Sequence, residues 1–159
     1  MTHVSTQLEL DRTLRAMYAA ISFPENGEPD WNRMGSVFHR AARLTRITPE
    51  GVDYFDLSSF QAMAAEMIDR GVYTCFFETE IARTAQVYGD LAHVLSAYET
   101  KRSPHAVTYL TRGVNSIQLL RSEATWQVLS LLWDEETNAN PVDLTRLFAA
   151  KNISDGKAQ

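Results

Sequence analysis

From Tyr73 to Trp133 the chain is dense in β-branched and aromatic residues, and short turn sequences cut it into long extended segments. Strands with a period of two are expected over residues 74–88, 91–101, 106–121 and 125–133. Gly89-Asp90 reads as a two-residue hairpin turn, because both residue types accept the left-handed backbone such turns need. Ser103-Pro104-His105 breaks the second segment from the third, and Ser122-Glu123-Ala124 turns the third into the fourth. Strands this long cannot stay flat. Their right-handed twist bends an antiparallel meander into a half-barrel whose concave side must be covered.

The preceding residues supply the cover. Residues 4–22 have helical periodicity, with Leu14, Met17, Tyr18 and Ile21 on one face and Thr6 and Glu9 at capping-box spacing. A turn-rich stretch follows over 23–29. Asp30 then caps a short helix whose apolar residues are Trp31, Met34 and Phe38. Two short strands are expected over 44–48 and 52–57, joined at Pro49-Glu50-Gly51. A third helix runs through Arg70, capped by Ser58 or Ser59, with Phe60, Met63, Ala64, Met67 and Ile68 on its buried face and Gly71 just past its end. A short terminal helix is expected over 142–150. Three helices packed on a long curved sheet make an α+β cone. The 159 residues fit one domain over 1–159, with loosely ordered ends at 1–4 and 151–159.

Composition narrows the function. A formal net charge of -5 argues against a general nucleic-acid binder, which needs a basic face. The lone Cys75 excludes an intrachain disulfide and any cysteine-based structural zinc site. His3, His39, His93 and His105 lack metal-ligand spacing, and neither G-x-S-x-G, a P-loop nor G-x-G-x-x-G occurs. No metal and no cofactor is expected. No segment reaches the apolar length of a membrane span and no signal-like N-terminus is present, so a cytoplasmic protein without a membrane partner is expected.

Strand alternation assigns faces. Tyr88, Leu91, Gln86, His93, Thr84 and Leu95 share one face of the hairpin. Val87, Ala92, Ala85, Val94, Arg83, Ser96, Ile81 and Tyr98 share the other, which is smaller and more apolar and is assigned to the concave side. On the next strand Gly113, Asn115, Ile117 and Leu119 face together. A one-residue bulge would swap the faces beyond it. Candidate pocket residues are therefore Tyr18, Trp31, Phe38, Arg83, Val94, Tyr98, Asn115 and Ile117. Plainer readings stand beside these. Tyr18 serves equally as a core residue with a satisfied hydroxyl. Arg83 either binds an anionic group or pairs internally with a carboxylate such as Glu80 or Glu99. Trp31 is structural, or a lid at the mouth. His39 closes the short helix, and His93 lies on the convex face.

The order of elements, the hairpin phrase Val87-Tyr88-Gly89-Asp90-Leu91-Ala92, the continuation Ala92-His93-Val94-Leu95-Ser96-Ala97-Tyr98-Glu99, and Arg112-Gly113-Val114-Asn115-Ser116-Ile117-Gln118-Leu119 followed by Trp126 and Trp133 together resemble the nuclear-transport-factor-2-like superfamily. That group includes ketosteroid isomerase, scytalone dehydratase, SnoaL-type polyketide cyclases and uncharacterised bacterial proteins. The resemblance implies a cystatin-like cone fold, a homodimer formed through the sheet face, and a small-molecule pocket inside the cone. Set against ketosteroid isomerase, Tyr18 falls on the helical tyrosine, Thr48 on the carboxylate base and Asn115 near the second carboxyl. A hydroxyl at 48 cannot serve as that base. The expected function is binding of a small, largely apolar molecule. The alternatives are a cofactor-free isomerase, dehydratase or cyclase acting on a small carbonyl or polyketide-like substrate, and an interaction domain that recruits a protein through its sheet face.

Overall fold

The computed structural model describes residues 3–149. The ends expected to be loosely ordered lie mostly outside that range, and His3 opens the first helix. The described elements are α1 (His3–Ile21), α2 (Trp31–Val37), β1 (Phe38–Thr48), β2 (Gly51–Phe55), α3 (Leu57–Asp69), β3 (Phe77–Tyr88), β4 (Leu91–Lys101), β5 (Thr111–Ser122), β6 (Thr125–Glu135) and α4 (Leu144–Phe148). Six strands form one sheet in the order β2-β1-β6-β5-β4-β3. The meander β3 to β6 is antiparallel throughout, while β1 joins it by a parallel pairing with β6, so the sheet is mixed. No described helix is long and apolar enough to cross a membrane.

The core lies between α1 and the inner face of the sheet. Leu10, Leu14, Met17 and Tyr18 on α1 are buried with Val94, Ile117, Leu119, Trp126 and Val128. The 3.6-residue stripe of α1 meets the two-residue alternation of β4 to β6 here, and each excludes water from the other. The Gly89-Asp90 turn sits between β3 and β4, with Gly89 at φ 55°.

Several boundaries differ from expectation, each for a local reason. The strand expected from residue 44 begins at Phe38, directly after α2. His39 therefore lies in β1 and not at a helix end, and its Nδ1 accepts the Ala41 amide at 3.1 Å. The cap of α3 is Asp56. Its carboxylate accepts the Ser59 amide at 2.8 Å while the Ser59 hydroxyl accepts the Asp56 amide at 3.0 Å, closing a capping box just upstream of the expected serines. The expected strand from 106 starts at Thr111. Residues 102–110 are irregular, with the Arg112 guanidinium 4.1 Å from the Tyr109 ring centre.

One irregularity governs the site. In the β3–β4 ladder Glu80 pairs with Tyr98 but Ala82 pairs with Ala97, leaving Ile81 as an extra residue. Beyond this bulge the faces of β3 exchange. Ile81 is therefore not a regular inward-facing residue, as simple alternation placed it. Glu80 and Glu78, opposite Tyr98 and Thr100, take the inner face instead.

After β6 the chain doubles back across the outer face. Pro141, Val142, Arg146 and Leu147 border a shallow depression with Val114 and Asp134, and α4 packs on β3.

Candidate functional site

A cavity of about 210 Å³ opens inside the cone between α1, α3 and the sheet. Phe23, Phe38, Phe60, Tyr73, Phe76 and Trp133 supply aromatic wall, and Met17, Met34, Met63 and Met67 supply adaptable thioethers. The inner face of α3 was expected to be core. Only Phe60 is buried there, and its ring meets those of Phe55 and Trp133 edge-on. Met63, Ala64, Met67 and Ile68 are half-buried because they border the cavity.

Polar groups enter this apolar space at Tyr18, Tyr98, Asn115, Glu78, Glu135, Arg46, Thr100 and Thr111. Tyr98 lies across from Gly113 in the β4–β5 ladder. A Cβ on Gly113 would stand 2.4 Å from the Tyr98 hydroxyl and 2.7 Å from the Asp134 carbonyl, so the missing side chain is the space that Tyr98 fills. Arg46 Nη2 approaches Glu135 Oε1 at 3.9 Å.

Of the residues singled out from sequence, Tyr18, Phe38, Tyr98 and Asn115 border the cavity. Val94 and Ile117 face the same side of the sheet but are fully buried in the core. Trp31 packs partly buried against that core and does not border the cavity. Arg83 does not border it and pairs with Asp11 and with Glu80, Nη1 to Oε1 3.1 Å. Thr48 lies at the β1–β2 turn, where its hydroxyl donates to the Gly51 carbonyl at 3.1 Å, and it is not at the cavity. His93 lies on the outer face with Nε2 3.2 Å from the Ser116 hydroxyl.

Glu78, Glu135 and Arg46 were not singled out from sequence. The signal for Glu78 was the bulge, which a single sequence does not display. Glu135 and Arg46 become neighbours through the parallel β1–β6 pairing, where Arg46 stands opposite Trp133 and Ile47 opposite Asp134.

Glu78 is the most perturbed carboxyl. The residue is half-buried, yet desolvation at the cavity wall pushes its carboxyl up to about 8. A hydrogen bond from Asn115 opposes the rise and the Glu135 charge adds to it. Burial also raises the phenols of Tyr18 and Tyr98 above the ordinary tyrosine value, with the Glu78 charge as the next cause. Both remain neutral hydroxyls at physiological pH.

Tyr18 and Asn115 belong to one hydrogen-bonded chain. Asn115 Nδ2 donates to the Tyr18 oxygen at 3.0 Å, and the Tyr18 and Ser96 hydroxyl oxygens are 2.7 Å apart. Ser96, fully buried, donates to Glu80 Oε2, and Glu80 Oε1 meets Arg83, which meets Asp11 on α1. The chain runs from the cavity wall to partly exposed ion pairs. Among the described residues no cluster of His, Cys, Asp and Glu could hold a metal ion.

No protein-family model and no curated protein matches the chain. Solved structures do. An NTF-2-like protein of unknown function from Silicibacter pomeroyi matches with a TM-score of 0.61 at 17% identity, covering 86% of this chain and 100% of that one. A protein of unknown function with a cystatin-like fold from Nostoc punctiforme matches with a TM-score of 0.66 at 11% identity, covering 87% and 96%. The crystal structure of LinA matches with a TM-score of 0.64 at 8% identity, covering 84% and 88%. The chain has the NTF2-like, cystatin-like α+β cone fold.

Proposed function

We propose that the protein binds a small, largely apolar molecule in the cone, its polar end set against Tyr18, Asn115, Tyr98 and Glu78. The observation that carries this reading is the convergence of a few polar groups in an aromatic and methionine-lined cavity, the usual composition of a small-molecule site. The test is native mass spectrometry of the purified protein, followed by calorimetric titration with β-tetralol and β-tetralone as bicyclic probes. A bound molecule in the first, or saturable one-to-one binding in the second, is expected. An empty protein that binds neither probe refutes the reading.

A second reading is favoured by Glu78. A carboxyl held near pH 8 beside a paired amide and phenol suits proton transfer. Under this reading the protein is a cofactor-free isomerase, dehydratase or cyclase acting on a small carbonyl or polyketide-like substrate, with Glu78 as acid or base. Accelerated exchange of the α-protons of β-tetralone in D2O, lost in Glu78→Gln, is its test. Exchange at the uncatalysed rate eliminates it for this ketone.

The outer sheet face bears exposed Tyr88, Leu91 and Leu132. We propose that it forms a homodimer contact, since an apolar patch of this kind is covered by association.

A further inference from the structure

We infer that Glu80 and Ser96, neither of which borders the cavity, fix the Tyr18 hydroxyl as a hydrogen-bond acceptor toward the ligand. The site would therefore select molecules that bring a donor, such as an alcohol or an N–H group, to Tyr18. The inference rests on the small-molecule reading above and specifies its ligand class.

The argument is a count of protons along the buried chain. Arg83 has only donors, so its contact at 3.1 Å makes Glu80 Oε1 an acceptor. The other carboxylate oxygen, Oε2, accepts the Ser96 hydroxyl. Ser96 has a single proton and has used it. Its oxygen, 2.7 Å from that of Tyr18, must therefore accept, and Tyr18 must donate. The Tyr18 proton thus points outward along the chain, away from the cavity. Asn115 supports the same direction. Its Nδ2 donates to the Tyr18 oxygen, and the same side chain hydrogen-bonds to Glu78. An amide nitrogen has two protons, which suits two acceptors. Tyr18, at the cavity wall, has only its remaining acceptor capacity to offer a ligand.

This differs from a site in which Tyr18 and Asn115 donate to a ligand oxygen. As donors to a ligand oxygen they would have to direct their protons into the cavity, whereas the Tyr18 proton and one Asn115 proton are engaged within the protein.

The chain also dictates how it can be inverted. In Glu80→Gln the amide oxygen stays with Arg83, which accepts no hydrogen bond, and the amide N–H faces Ser96. Ser96 then accepts from position 80 and donates to Tyr18, and the Tyr18 proton is released to the cavity. Ser96→Ala releases the same proton by removing its acceptor.

The test uses the full-length protein and two probes with one skeleton, β-tetralol and β-tetralone. In wild type the alcohol is expected to bind more tightly. In Glu80→Gln and in Ser96→Ala the ratio of alcohol to ketone affinity is expected to fall at least tenfold. A residue with only a packing role would weaken both probes alike and leave the ratio in place. A second measurement needs no ligand. The wild-type Tyr18 hydroxyl proton is expected to exchange slowly and to show a nuclear Overhauser contact to the Ser96 β-protons, which Glu80→Gln abolishes. An unchanged ratio with both probes bound overturns the inference, as does a wild-type Tyr18 proton without that contact. If neither probe binds, the small-molecule reading and the ligand class fall together, while the hydroxyl contact still decides the direction of the chain.

Discussion

Arg83 and Glu80 stand three residues apart on one strand, which in a regular strand puts them on opposite faces, yet their side chains meet at 3.1 Å. The extra residue Ile81 restores them to one face, opposite Ser96 and Tyr98. The polar chain that ends at the cavity depends on this offset, because Glu80 reaches Ser96 only from the inner face.

Glu78 gives a pH signature. Its folded-state pKa of about 8 lies above the ordinary carboxyl value of 4.5, so the folded protein binds the extra proton between those values. Its contribution to stability is therefore fully present below about pH 4.5 and is lost as pH rises toward 8, with a slope of at most about 1.4 kcal/mol per pH unit. Urea unfolding of wild type and Glu78→Gln across this range isolates the effect. The wild-type protein is expected to lose stability relative to the variant with rising pH, and the difference to level off above pH 8. A difference that does not change with pH contradicts the assignment.

Asn115→Leu removes the donor to Tyr18 and Glu78. Binding of β-tetralol is expected to weaken by about 1–3 kcal/mol while far-UV circular dichroism keeps the native shape. His93→Ala, on the outer face, is expected to leave the same titration within error. Equal losses in the two variants would show that the effect does not pass through the cavity.

Gly113→Ala places a methyl group where the Tyr98 ring and the Asp134 carbonyl already are. The backbone carbonyl cannot swing aside as a side-chain tip can. A loss of about 1–3 kcal/mol in unfolding free energy is expected from overpacking, accompanied by weaker probe binding as Tyr98 is displaced. Unfolding at the wild-type denaturant midpoint would show that Tyr98 is not confined there.

For the outer face, light scattering is expected to give twice the chain mass of 18.0 kDa at micromolar concentration. Leu91→Arg, at an exposed position on that face, is expected to return the monomer mass without changing the secondary structure. A wild-type monomer at these concentrations removes the dimer proposal.

What the sequence disclosed was local. Gly89-Asp90 names its own turn, and alternation from that turn brings Tyr98 to the inner face, as alternation on β5 does for Asn115. The same alternation holds for Val87, Ala85 and Arg83 but fails at Ile81 and beyond it, because a bulge is decided by the partner strand as much as by the bulged one. Arg46 and Glu135 stayed hidden because their meeting needs β1 to run beside β6, a pairing between residues far apart in the chain. Asp56, Ser58 and Ser59 are all capping residue types, so residue type alone does not distinguish them. The choice fell to Asp56 because Ser59 stands at its N3 position, where the two side chains satisfy each other's amides.

The Ile81 bulge also has a genetic meaning. Loss of the Ile81 codon would join Glu80 directly to Ala82, and both would keep their partners Tyr98 and Ala97, so Glu78 and Glu80 would stay on the inner face. Drawing Ile81 into the ladder has the opposite result: Thr79 and Phe77 take the inner-face places, and Glu78 and Glu80 turn to the outer surface. The acidic wall therefore tolerates a deletion at this point and is lost when the extra residue is straightened into the strand. On a sheet of this kind, descendants can exchange an acidic pocket for a neutral one by a slip of pairing, with the sequence of the strand left unchanged.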